Sequence, residues 1–413
     1  MAGPRRILLL ITDLQIGGTP TVVRELAVRL RAAGNAHVEV ACLAPRGPVA
    51  DELAAAGVAV TALGASSVVQ AIDVVRKLVR LIDRQGIDTV LSFLVHANAI
   101  AAAASLFRPD VRWLQSIQTT QPYPRWHWWV QRVASLAAQR IVVPSPSVAR
   151  VAAGWADVAV NKIAVIPNAV DSDLSAWHGL PARGLRSAAD VGHRPIKSTG
   201  EPPVPRTDTG WKPVPQADAD TGWKPVPRAD TDTGWKPVPL QRGGIGFVGR
   251  LDPIKRVTDL VDAVALLGQD VRLHIYGDGP ERGAIEARVA QHGLAARVTM
   301  HGAIPDAKPA IASLDVLVLP SEAEGFGLVL IEAMAAGVPV VATNAPGIRD
   351  VVTDGVTGLL VPVGRPDALA AAIARILADP ALRSSLVMAA ADHVRRNYSW
   401  DVVLPRYRQL LHL

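Results

Sequence analysis

One cysteine, Cys42, stands in 413 residues. No intrachain disulfide can form, and the chain fits a reducing compartment. No stretch approaches the roughly 18 uninterrupted apolar residues of a membrane span, so no transmembrane helix is expected. Near the start, Arg5 and Arg6 precede only Ile7 to Ile11 before Thr12-Asp13 breaks the run. That core is shorter than the roughly seven or more residues of a signal peptide, and it reads as a first strand. No His/Cys grouping at metal-ligand spacing is found, so neither a metal nor a cofactor is expected.

What is present is ample apolar material. Hydrophobic residues make up 49% of the chain and mean hydropathy is positive, enough for two domains with full cores. The formal charge of +6 is uneven. Residues 1–175 carry 17 Lys/Arg against 12 Asp/Glu, residues 176–242 carry 10 against 7, and residues 243–413 carry 16 against 18. A basic N-terminal half can face anionic lipid or nucleic acid, or be an ordinary basic surface.

Apolar runs read as strands at 7–12, Val38–Leu43, Val58–Leu63, Thr89–Phe93, Arg112–Ile117 and Ile141–Ser145. Helical patterns fall between several of them, at about Thr21–Ala33, Ser67–Gln85 and Ala97–Leu106. Strands alternating with helices predict a doubly wound parallel sheet. After the first strand, Gly17 and Gly18 let backbone approach a ligand closely. A simple tight turn is the competing reading. His96 follows the strand beginning at Val90, at the ligand edge of the sheet, where a structural histidine is the alternative. Tyr123 to Trp129 concentrates aromatic and basic residues at the start of a helix expected to reach Arg140. Trp126 and Trp129 suit an interfacial membrane anchor, a sugar-stacking surface, or a helix packed into the core.

The composition then breaks. Asp208–Pro215 recurs at Asp220–Pro227 and Asp232–Pro239 with a period of twelve. Trp and Val are the only sizeable apolar residues of each unit, and two prolines per unit remove backbone donors. A disordered spacer is expected at 179–242, with a docking array of tryptophans as the alternative.

Order returns at Ile245–Val248. Gly244 to Gly249 formally matches G-x-G-x-x-G, but those residues are themselves the strand, so the dinucleotide reading is rejected. Arg250 and Lys255 flank a turn at Pro253, and two cations at a strand end suit a diphosphate. Further strands are read at Val271–Tyr276, Val298–Gly302, Leu314–Leu319 and Val338–Val341.

The stretch Pro320 to Val341 organises the rest. It reads as a loop, a helix ending at the Gly337 C-cap, and a strand. Glu324 falls in the loop and Glu332 one to two turns into the helix. The helix start between them, at Gly327 and Leu328, can hold an anion on its free amides. A polyhydroxylated ligand with phosphate in its middle would suit this arrangement.

This string resembles the Glu-seven residues-Glu signature of the retaining, family four (group 1) glycosyltransferases. The resemblance spans nearly all of the chain except about residues 180–242 and is strongest from Gly249 to Val361. It implies the GT-B fold: two facing Rossmann-like domains, at 1–178 and 243–390, with the repeat insertion between them. A C-terminal helix at 391–413 would cross back to the first domain. It implies retaining, metal-independent sugar transfer from a nucleotide-diphosphate-sugar donor to a glycan or lipid-linked acceptor. In this reading Glu332 holds the nucleotide ribose and Glu324 and His96 contact the donor sugar. Arg250 and Lys255 meet the diphosphate, and Gly17, Gly18, Phe326, Gly327 and Leu328 line the donor site. Cell-envelope polysaccharide or glycolipid synthesis is the expected setting, in the cytoplasm and at the inner face of the membrane. Three other readings stay open: a GT-B sugar-nucleotide epimerase, a binding-only GT-B protein, and a nucleic-acid binder suggested by the basic isoelectric point. For the last no recognition motif is present, and no nucleic-acid partner is expected.

Overall fold

The computed structural model describes residues 4–65, 68–171 and 244–413. The twelve-residue repeats, and the spacer expected there, lie outside the described residues.

The first domain is a seven-stranded sheet of β1 (Arg5–Ile11), β2 (Ala36–Cys42), β3 (Ala59–Ala62), β4 (Thr89–Phe93), β5 (Arg112–Ser116), β6 (Arg140–Val143) and β7 (Ile163–Val165). Their order is β3-β2-β1-β4-β5-β6-β7, and every pair is parallel. Its helices are α1 (Gly18–Ala32), α2 (Pro48–Ala55), α3 (Ala71–Gln85), α4 (Val95–Ser105), α5 (Arg125–Leu136) and α6 (Pro146–Trp155). A parallel sheet needs both faces covered, which explains why β1 is almost continuously apolar. Its side chains divide with period two. Ile7, Leu9 and Ile11 join one core cluster, and Leu8 and Leu10 join another on the opposite face.

The second domain repeats the plan. β8 (Ile245–Val248), β9 (Leu273–Tyr276), β10 (Val298–Gly302), β11 (Val316–Leu319), β12 (Val340–Thr343) and β13 (Leu359–Val361) form a parallel six-stranded sheet in the order β10-β9-β8-β11-β12-β13. Around it lie α7 (Val257–Ala265), α8 (Arg282–Gln291), α9 (Lys308–Ala312), α10 (Leu328–Ala335), α11 (Pro366–Ala378) and α12 (Pro380–Asn397). Strand order reverses between β1 and β4, and again between β8 and β11. Those reversals open a crevice at the carboxyl ends of the strands, where the two domains meet. The architecture is GT-B, as expected.

Three boundaries differ from the sequence reading. α5 stops at Leu136 rather than Arg140, because Arg140 opens β6. β4 ends at Phe93 as read, but α4 begins at Val95 rather than Ala97, so His96 lies in its first turn, entered through Leu94 at φ 73°. The segment from 391 is not one helix. Its first part belongs to α12, whose Leu382, Leu386, Ala390 and Val394 pack in the C-terminal core. The chain crosses at Tyr398–Ser399, where Val170 N donates to Tyr398 O at 2.9 Å and Val170 bridges Ser399. The last helix, α13 (Trp400–Leu411), puts Trp400, Val403, Tyr407 and Leu411 into the N-terminal core beside Ile7 and Leu9.

Candidate functional site

The site forms where the loops after β8 and β11 converge. β8 and β11 are neighbours in the sheet, so their carboxyl-end loops are too. Lys255 closes a single 3-10 turn, Pro253–Lys255, and Arg256 follows in the left-handed region. Lys255 Nζ lies 2.6 Å from Glu324 Oε1, with both side chains mostly buried. Ser321 Oγ donates to the same oxygen at 2.7 Å, and Thr343 Oγ1 donates to Ser321 O. Both bonds to the Glu324 carboxylate end on Oε1. Oε2 takes none from the described residues.

The backbone around Glu324 is equally constrained. Glu324 N donates to Pro346 O at 3.0 Å. Gly347 stands at φ +81°, and a Cβ there would lie 2.0 Å from Glu324 O. A Cβ on Gly325 would lie 2.0 Å from Gln118 O, which belongs to the other domain. Only glycine permits either approach.

α10 begins at Leu328 behind Gly327 in the left-handed region (φ 79°) and ends before Gly337 at φ 75°. The left-handed C-terminal glycine is the one anticipated. Its first amides have no carbonyl one turn back. Across the crevice a Cβ on Gly18 would lie 3.9 Å from Leu328 Cδ2, so the Gly17-Gly18 loop faces the α10 start. Glu332 sits in the second turn of α10. Its side chain is part-buried. Burial pushes its carboxyl up to about 7, against the pull of Lys308 and Arg24 and with the push of Asp306.

Not every residue singled out converges equally. Arg250 is exposed, and its guanidinium is forked onto Asp252 at 3.0 and 3.1 Å. The Phe326 ring is buried in the C-terminal core, edge-on to Tyr398 at 5.3 Å. With the ring packed among core side chains, any lining of the donor site would fall to its backbone. His96 packs on Trp126 and His127, with centroids 6.1 and 5.3 Å apart. Burial and the neighbouring His96 lower the pKa of His127. Asp-x-Asp triplets, which the expectation of metal independence left out of account, occur at Asp171–Asp173, Asp218–Asp220 and Asp230–Asp232. Asp171 is paired with Arg29 and with Lys308; the other members lie outside the described residues.

Sequence reasoning passed over Ser321, although it stands three residues before Glu324 within the singled-out stretch. It also passed over Thr120 and Ser145, which reach the Glu324 loop from the other domain, and Asp350, which bonds Ser147 N at the start of α6. Nothing local in the sequence pairs those residues with Glu324.

Comparison with known proteins bears on the family and the fold. The family description "Glycosyltransferase Family 4" matches residues 16–174, and "Glycosyl transferases group 1" matches 236–393. A phosphatidyl-myo-inositol mannosyltransferase of Mycobacterium leprae is 42% identical over 164 residues, 38% of this chain and 43% of that protein. The lipopolysaccharide core biosynthesis glycosyltransferase LpsE of Rhizobium meliloti is 35% identical over 164 residues, 40% of this chain and 48% of that protein. The aligned part thus spans less than half the length of these relatives. Anabaena Alr3699/HepE, solved with UDP-glucose, superposes with a TM-score of 0.77 at 19% identity, covering 98% of this chain and 99% of that one. A glycosyltransferase from Rickettsia africae gives 0.72 at 18%, covering 99% and 98%. With one family description on each domain and the shared two-domain fold, the chain belongs to the group 1 glycosyltransferases of GT-B architecture.

Proposed function

We propose that the protein transfers a sugar from a nucleoside-diphosphate-sugar donor to a glycan or lipid-linked acceptor, with retention of anomeric configuration. The observation that carries this reading is the Lys255–Glu324 pair beside the α10 start, facing Gly18 across the crevice. In this reading the α10 amides and Lys255 take the donor diphosphate. The free Oε2 of Glu324 accepts a sugar hydroxyl, and Glu332 accepts the ribose hydroxyls.

The chemistry asks chiefly for charge stabilisation. The bond from the anomeric carbon to the diphosphate breaks, and its electron pair stays on the diphosphate oxygen. Lys255 and the α10 amides stabilise that growing charge. Arg250 joins them by exchanging Asp252 for phosphate, which its exposure permits. The acceptor oxygen attacks from the leaving-group side, and its proton passes to the departing diphosphate oxygen. The reading assigns no step to a metal. His96, in the first turn of α4, is assigned to the sugar end of the donor.

The acceptor side is read from α5. Trp126 and Trp129 are exposed, together with Val133 and Leu136. No acidic residue occurs from 111 to 156, while Arg112, Arg125, Arg132, Arg140 and Arg150 do. No helix among the described residues is long and apolar enough to cross a membrane. A Trp-bearing α5 that opens with Arg125, in a stretch free of acidic residues, suits peripheral contact with anionic lipid from the cytoplasmic side, where a lipid-linked acceptor would be presented.

The test is a panel of nucleotide sugars, with UDP-glucose included because a structural neighbour was solved with it. Donor hydrolysis and transfer are measured, and the anomeric configuration of the product is read by NMR. An epimer formed from donor alone would favour the epimerase instead. Inversion in the product would overturn retention.

A further inference from the structure

We propose that Thr120 and Ser145, both on the N-terminal domain, position Glu324, so that the acceptor-side domain completes the donor site. The inference rests on the proposed transferase reading for its catalytic meaning, but its geometry stands apart from it.

The peptide at 324–325 is held from two sides. On the C-terminal side, Glu324 N is bonded to Pro346 O and Gly347 lies against Glu324 O. On the N-terminal side, Thr120 Oγ1 donates to Glu324 O at 2.7 Å. Ser145 Oγ donates to Gly325 O at 2.9 Å. Thr120 and Ser145 are 3% and 1% exposed, so water does not compete freely for these bonds. The missing side chain of Gly325 lets Gln118 O come within 2.0 Å of where a Cβ would stand. Two adjacent carbonyls are thus fixed by hydroxyls from the other domain. Fixing them fixes the direction in which the Glu324 side chain leaves the backbone.

Ser145 has a second task that ties the contact to a whole element. Its Oγ also accepts from Val148 N at 3.2 Å, capping α6. At the same helix start, Ser147 N donates to Asp350 Oδ2 of the C-terminal domain at 2.8 Å. The Asp350 side chain is largely buried, with Arg150 3.9 Å away. A carboxylate at a helix N-terminus is favoured by the helix dipole. α6 is therefore capped across the domain boundary, and its cap residue holds the Glu324 loop. If the domains part, the Glu324 loop loses Thr120 and Ser145, and α6 loses Asp350. Lys255 and Ser321 would then hold the carboxylate while its backbone is released on one side. Domain approach and the aim of Glu324 are one event in this arrangement.

The test uses the full chain with Thr120→Val, which keeps the shape and removes the hydroxyl, and Thr120→Ser, which restores it. Ser145→Ala serves as the second probe. Amide hydrogen exchange of residues 321–330 is measured without ligand, alongside kcat and donor KM. Thr120→Val is expected to speed exchange in 321–327 and lower kcat, each about five- to tenfold, as loss of one hydrogen bond implies. Donor KM should change less than about twofold, because the aim of Glu324 matters most in the transition state. Thr120→Ser should restore both, and β8 exchange should stay as in the wild type. Unchanged exchange of 321–327 in both Thr120→Val and Ser145→Ala would overturn the proposal. So would faster exchange spread evenly over the N-terminal domain, which marks a structural role only. A loosened loop in a chain that transfers no sugar would support the positioning and count against the transferase reading.

Discussion

Lys255 and Glu324, 69 residues apart in sequence, meet at 2.6 Å across the loops of two neighbouring strands. The cation assigned to the diphosphate is already held by the carboxylate assigned to the sugar. A donor entering here meets a lysine whose position is set before binding, so little reorganisation is needed when charge develops.

Lys255→Ala is therefore expected to lower kcat more than it raises the donor KM, by about 10²-fold if Lys255 acts as a single transition-state donor. It also leaves Glu324 with Ser321 alone. Steady-state kinetics on donor hydrolysis check this. A change confined to KM would show that Lys255 docks the donor and does nothing more.

Glu332→Gln preserves shape and loses the charged acceptor for hydroxyls. Donor affinity should fall by roughly 1.5–3 kcal/mol, the range for hydrogen bonds to charged groups. Isothermal titration calorimetry with the nucleotide diphosphate measures it directly, and equal affinity in the two proteins would remove the ribose assignment.

The raised carboxyl of Glu332 makes stability depend on pH. Its folded value is about 7 against an ordinary 4.5, so between those values the folded state binds more protons than the unfolded one. Stability then falls as pH rises from about 4.5 to about 7, by at most about 3 kcal/mol. Glu332→Gln should lack this loss. Urea denaturation of both proteins at pH 5 and pH 8, without ligand, should show wild type gaining on the variant at the lower pH. Donor binding near pH 6.5 should release protons from wild type, read by calorimetry in buffers of different ionisation enthalpy.

Trp126→Ser with Trp129→Ser should weaken flotation with vesicles containing anionic lipid, and added salt should weaken it for wild type as well. Neutral vesicles should bind poorly. Flotation indifferent to lipid charge, salt and both tryptophans would dismiss the membrane face.

Much of this was legible because the signals are local. The alternation of apolar runs and helical patterns locates both sheets to within a few residues, and the Glu324–Glu332 stretch carries its own loop, helix and C-cap glycine. The edges slipped where tertiary context decides. α5 could have run on to Arg140 by pattern, but pairing of β6 with β5 claims Arg140 for the sheet. Phe326 looked like a site residue by position, and only the packing of Tyr398 shows where its ring goes. Thr120 and Ser145 lie far from the motif in sequence, and they and Asp350 are ordinary residue types. Their partners are set by how two domains meet, which no pattern along the chain encodes.

The docking of α13 into the N-terminal core also orders events during synthesis. Ile7, Leu9 and Ile11 leave the ribosome early, but Trp400, Val403, Tyr407 and Leu411, which share their core, follow only after the whole second domain has been made. Domains usually fold as units while the chain emerges. Here the first domain waits for residues made after the second. Until α13 emerges, the apolar side chains it covers lack that part of their core. A message truncated before Trp400 would damage the domain at the opposite end of the chain.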